Sequence, residues 1–140
     1  MNLAIKITLF ASGIYLLLGM VIGIVKYQKM LNSPEHQAPF YIDTAHRASF
    51  LYSFAMLVVA KLLEYSPYSL NLQLTVVSVL LLFVTLTIVG YVIHGFIKTE
   101  NMFSKRNFTT TWFMYLLIIG EIGSLGLIVF GFVETQFLQN

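Results

Sequence analysis

Cysteine is absent from all 140 residues. That excludes a disulfide framework, a thiolate metal site and an iron–sulfur cluster, so a metal here would rest on His, carboxylate, Met or Tyr. Charge is scarce too. Asp, Glu, Lys and Arg make up 10% of the chain, against about 25% in a soluble domain. Too little polar surface exists to coat a water-soluble globule, and lipid is the expected solvent. Neither sign of charge dominates, with 8 basic residues against 6 acidic ones. The basic residues are scattered over segment ends with no dense patch, which argues against nucleic acid as a partner. The apolar runs lack period-two alternation, which argues against a transmembrane β-barrel. No internal repeat or low-complexity tract is present.

What the chain has in quantity is apolar length. Hydrophobic residues make up 58% of it, and the mean hydropathy is +0.82. A spanning helix needs about 20 mostly apolar residues. Four runs meet that need, at about 7–25, 44–64, 74–97 and 109–133. The second is the weakest, with His46 and Arg47 at one end and Lys61 and Glu64 at the other. End charges of this kind can snorkel to the headgroups. Pro67, Asn71 and Gln73 mark the start of the third run as a turn. The first run is too long for a signal-peptide core, and no clean cleavage site follows it. The expected fold is therefore all-α: an integral membrane four-helix bundle forming one transmembrane domain over 1–140, its main partner the lipid bilayer. Loops 26–43 and 98–108, with Arg47, hold six of the eight basic residues. The positive-inside rule puts those loops in the cytoplasm and both termini outside, as in a bacterial inner membrane.

Several residues stand out against this background. Gly19 and Gly23 form a GxxxG step on the first run, and Ala45, Ser49 and Ser53 recur every four residues on the second. The fourth run carries Gly120, Gly123, Ser124, Gly126 and Gly131. Small residues at such spacing let helix backbones approach closely in lipid. They serve either the packing of one bundle or contact between copies, and a four-helix bundle is thin enough to make a homo-oligomer expected. Glu121 interrupts the fourth run, and an ionisable group near the bilayer centre is costly enough to mark a functional site. An interhelical hydrogen bond is its favoured role, with proton shuttling or acid catalysis as the others.

His46 and His94 lie toward the same side of the membrane if the helices form antiparallel hairpins. Neutral imidazole binds iron well, so His46 is a candidate axial ligand for a haem as well as a simple interfacial residue. Arg47 beside it suits a carboxylate such as a haem propionate. His94 follows Gly90 by one turn, where the missing side chain leaves room for a flat macrocycle. A pairing of His46 with His94 would give a six-coordinate haem of the electron-transfer kind. His36, in a loop beside Glu35, has nothing to fix its geometry. Tyr52, Tyr91 and Tyr115 place phenols inside the runs. Asn101 and Asn107 occupy the loop that could close over His46 and His94.

The layout resembles that of styrene oxide isomerase and, more distantly, hydroxylaminobenzene mutase, both small four-helix membrane isomerases. Two stretches carry the resemblance. One is Ala45-His46 early in the second run, after a long Pro-containing loop, followed by Met56-Leu57-Val58-Val59-Ala60. The other is Val89-Gly90-Tyr91 late in the third run, followed by a polar loop with asparagine and phenylalanine. The resemblance implies a homotrimer with haem b at each subunit interface and His46 as the iron ligand. It implies isomerisation of a small apolar epoxide, with ferric iron as Lewis acid and Tyr52 and Tyr91 as catalytic candidates. Arg47, His94 and Asn101 would complete the cofactor's surroundings. Tyr52 stands where the family has an asparagine, and Val92 where it has a tyrosine, Tyr91 falling one position early. Two other functions compete. One is a non-catalytic bis-histidine cytochrome for electron transfer or sensing. The other is a cofactor-free packing subunit or small-ligand binder.

Overall fold

A computed structural model describes residues 1–138. Four helices carry the chain: α1, Leu3–Leu31; α2, Phe40–Leu63; α3, Leu70–Phe96; and α4, Met114–Val133. The widened π-helical turns Thr109–Phe113 and Glu134–Leu138 extend α4 at its two ends. No strand occurs among the described residues. All four helices, α4 taken with its flanking turns, are long and apolar enough to cross a membrane. The second has the lowest hydropathy, 1.2 against 2.2 to 2.7 for the others, in keeping with its charged ends. The fold is the expected all-α four-helix bundle.

Local chemistry sets the helix ends, and it carries the helices past their apolar runs. Asn2 caps α1 by accepting from the Ile5 N–H at 3.1 Å, an orphan donor of the first turn. Lys26, Gln28 and Lys29 then continue the helix to Leu31, as good helix formers do. Helix α2 begins at Phe40, directly after Pro39, four residues ahead of the apolar run. Helix α3 begins after Ser69, whose hydroxyl accepts from the Leu72 N–H. Asn71 and Gln73, expected in a turn, thus lie inside α3. Gln73 is buried, and its amide accepts from Asn2 at 2.7 Å and donates to the Tyr68 carbonyl at 2.9 Å. At the far end of α3 the chain reverses through Lys98, with φ 51°. The Lys98 N–H donates to the Gly95 carbonyl and the Thr99 N–H to the His94 carbonyl, a Schellman closure with lysine where glycine is usual. Asn107 and Thr110 cap the fourth helix reciprocally, each side chain accepting from the other's N–H at 2.9 Å.

The tightest seam is between α1 and α2. Ser12 and Ser53 meet there, buried, and each hydroxyl donates to the other's backbone carbonyl, at 2.8 and 2.9 Å. Thr8, Gly19, Ala45, Ser49 and Ala60 keep the rest of the seam narrow. Helix α3 is tied on through Tyr15, whose hydroxyl donates to the Leu81 carbonyl at 3.3 Å and lies 2.8 Å from the Thr85 hydroxyl. Helix α4 is the most peripheral, burying only Ser124, Ile128 and Gly131. Of its glycines, Gly120 lies beneath the Phe83 ring and Gly131 beneath Tyr68, while Gly123 and Gly126 face open space. Large apolar side chains point outward along every helix, Leu17, Phe54, Leu82 and Ile119 among them. That is the surface a bilayer would solvate.

Candidate functional site

His46 lies one and a half turns into α2 and faces α1. Its Nδ1 donates to the Gly19 carbonyl at 2.8 Å. The ring lies across Gly23, where an added Cβ would stand 2.9 Å from Cε1. Phe50 meets the imidazole edge to face at 4.9 Å and also covers Gly19. The GxxxG step, expected to seat a helix backbone, is therefore a slot for two α2 side chains. Donation from Nδ1 fixes the tautomer and leaves the lone pair on Nε2. No described buried side-chain nitrogen or oxygen lacks a partner, and Nδ1 carries the hydrogen bond of this ring, so Nε2 is not sealed unpaired inside the bundle. A metal-binding histidine commonly has this form, one ring N–H held by a carbonyl and the other nitrogen free.

Arg47 turns away from that slot. Its guanidinium pairs with Asp43 at 2.8 Å, and the other oxygen of Asp43 takes Lys26 at 2.5 Å. Arg47 also borders a cavity of about 430 Å³ lined by Thr44, Ala48, Leu51, Tyr52 and Tyr91. The structure thus brings the two catalytic candidates, Tyr52 and Tyr91, to one cavity. Six residues separate Tyr52 from His46, which at 100° per residue puts them about 120° apart around α2. Within the chain the cavity and the imidazole slot lie on different sides of that helix.

His94 keeps separate company. Its Nδ1 is 3.0 Å from the Thr99 hydroxyl, and its ring lies 5.7 Å from that of Tyr41, which in turn stacks with Tyr91 at 6.2 Å. Gly95 beside it abuts the backbone of Ile42. His94 is therefore level with the start of α2, about one helical turn (~5.4 Å) shallower than His46. The two imidazoles, expected to form a pair, are not brought together within the chain. Asn101 shapes its own loop, accepting from the Phe103 N–H at 2.8 Å. The neighbouring Met102 N–H donates to the Tyr41 hydroxyl at 2.9 Å, so this loop closes over the His94 end and not over His46. His36 lies in the first loop with φ 52°, and Tyr115 is exposed on α4. No group of three His, Cys, Asp or Glu side chains able to hold a metal ion occurs among the described residues; a haem needs only one or two protein ligands.

Glu121 makes the interhelical contact expected of it. Its Oε1 accepts from the Thr87 hydroxyl of α3 at 3.5 Å, a long bond, and Tyr52 of α2 lines the same cleft. Thr87 and Tyr41 carry no motif, and threonine and tyrosine are ordinary in apolar helices, so no sequence signal marks them. Gly23 carried a signal, a glycine on α1 with an imidazole due on the adjoining antiparallel helix.

No family model, curated protein or solved structure matches this chain. The functional assignment therefore rests on the geometry of His46 and on the resemblance carried by the short sequence stretches.

Proposed function

We propose that this chain is a haem b-binding integral membrane protein, with His46 as axial ligand, that assembles from copies of itself and isomerises a small apolar epoxide or related substrate. One observation carries the proposal: the His46 imidazole is locked by Nδ1 on the Gly19 carbonyl, over Gly23, which leaves Nε2 as the nitrogen for a metal. A plain interfacial histidine needs no such slot. Ferric haem with an open coordination position would supply Lewis acidity toward an epoxide oxygen. The protein's own part is to orient the ligand ring, to bind the substrate among Leu51, Tyr52 and Tyr91, and to exclude water there. Arg47, exposed and shared with Asp43, would offer its remaining donors to a propionate.

The slot and the Tyr52–Tyr91 cavity are different surfaces of the protomer. Copies that join one surface to the other associate head to tail, the arrangement that closes into rings, and the trimer of the resembling family is such a ring. Assembly would place the imidazole of one copy opposite the cavity of the next. The basic loops would face the cytoplasm of a bacterial inner membrane.

The test is a visible spectrum of the protein purified in mild detergent, with haem supplied. A Soret band is expected, and His46→Ala is expected to abolish it. Full haem content in His46→Ala would overturn the assignment of the ligand, and no Soret band in the native protein would overturn the cofactor. Conversion of styrene oxide to an aldehyde then tests the activity.

A further inference from the structure

A second cavity lies deeper in the bundle; it shares Tyr52 with the proposed substrate cavity, but the haem function does not otherwise account for it. Helices α2, α3 and α4 enclose a cleft of about 380 Å³, within the range of small-molecule sites, about 300–1,000 Å³. Its walls are apolar: Met56 and Val59 from α2, Leu80 and Val84 from α3, Ile122 and Leu125 from α4. Two polar side chains reach it, Tyr52 and Glu121. Counted inward from the loop side at 1.5 Å per residue, Tyr52, Thr87 and Glu121 all lie roughly 14–18 Å deep, near the middle of an apolar layer about 30 Å thick. Val58 and Ile122 border the cleft and are 59% and 68% exposed. The cleft therefore opens sideways, into lipid.

We propose that this cleft takes a small lipophilic amine from the bilayer, its ammonium pairing with the Glu121 carboxylate and its apolar body lying against Met56, Val59 and Val84. The polar groups around Glu121 are hydroxyls. Thr87 donates to it, and the Tyr52 phenol lines the same cleft. Neither hydroxyl brings a positive charge to balance a carboxylate. No ion pair of Glu121 occurs among the described residues; the charged pairs lie near the ends of α1 and α2. An unpaired charge at mid-membrane is costly, and acids found there pair with a cation or mark a ligand path. A cation with an apolar tail supplies the missing charge and fills the cleft. A neutral ligand supplies only the second.

The test uses the full chain in phosphatidylcholine nanodiscs, with empty discs as the partition control. The probes are 4-phenylbutylamine and its neutral counterpart 4-phenylbutanol, titrated calorimetrically. The amine is expected to bind at least tenfold more tightly than the alcohol. Glu121→Gln is expected to erase that preference while leaving alcohol binding in place. Equal binding of the two probes by the native protein would overturn the proposal. So would an amine preference that survives Glu121→Gln, the result expected if the amine ligated iron elsewhere. Ala55 is exposed and lines the cleft, so Ala55→Phe fills the space without touching the buried core. It is expected to weaken both probes at least fivefold. Unchanged amine binding in Ala55→Phe would overturn the proposal even if Glu121→Gln did not fold.

Discussion

Gly23→Ala is the sharpest test of the His46 slot. The new Cβ would lie 2.9 Å from Cε1 and 3.2 Å from Nδ1 of the imidazole, where carbon contacts are normally about 3.5–4.0 Å. The ring cannot retreat with its helix. Ala45 and Ser49 on either side of it are fully buried, and the Ser12–Ser53 bonds hold α2 against α1. The imidazole must therefore rotate, and its 2.8 Å bond to Gly19 is lost. Overpacking of this kind costs about 1–3 kcal/mol, and the lost hydrogen bond about 1 kcal/mol. Replacing a mid-helix glycine returns about 0.5–1 kcal/mol. The net expectation is a loss of roughly 1–3 kcal/mol, a fall in Tm of about 4–12 °C at around 4 °C per kcal/mol. Circular dichroism in detergent measures it, and nitrogen NMR of the imidazole reports loss of the Nδ1–H tautomer. Gly13→Ala is the control, because an added Cβ there meets nothing within 4 Å, and it is expected to be neutral or stabilising. On a His46→Ala background the cost of Gly23→Ala is expected to vanish. An equal cost with and without the imidazole would refute the slot.

Three further outcomes follow from the packing. Gly95→Ala is expected to destabilise by about 3 kcal/mol, at the upper end of overpacking, because its Cβ would meet the backbone nitrogen of Ile42 at 2.8 Å and backbone yields less than a ring. A Tm loss smaller than that of Gly23→Ala would contradict this. Lys98→Gly is expected to raise stability by about 1 kcal/mol by relieving a left-handed residue at φ 51°, read as a higher midpoint in thermal unfolding. Ser12→Ala and Ser53→Ala are each expected to cost about 0.6 kcal/mol, the mean for interhelical bonds in membranes. A cost above 2 kcal/mol for either would mean that the serines do more than exchange these two bonds.

The bundle was legible from apolar length, because a chain with so few charges has few other ways to meet its solvent. The helix ends were less so. Pro39 and Ser69 are ordinary start signals, but both precede polar residues that hydropathy alone assigns to loops. Gln73 shows why: its amide is satisfied by Asn2 and by the Tyr68 carbonyl, a pairing 71 residues long that no local pattern announces. The candidate site divided in the same way. Sequence placed His46 on an interfacial turn and Glu121 at mid-membrane, since depth follows from counting. It could not say which face of α2 meets α1. Counting around α2 parts His46 from Tyr52, but which of the two faces packs on α1 depends on the small residues of two helices read together. The depth of His94 also required knowing that α2 starts at Phe40, which sets its level against Tyr41 and Ile42.

The serine clasp has a consequence for how the chain is made. Its two halves are 41 residues apart, so the first hairpin holds everything needed to close it before α4 has been synthesised. Domains and hairpins generally form from the amino-terminal end during synthesis, and α1–α2 is the natural first unit here. The absence of cysteine turns this into a direct measurement. A Ser12→Cys, Ser53→Cys chain has no other thiols, so its oxidation, seen as a gel shift without reductant, times closure of the hairpin against the length of chain released. Cross-linking that appeared only after α4 was complete would show that the fourth helix closes the first pair.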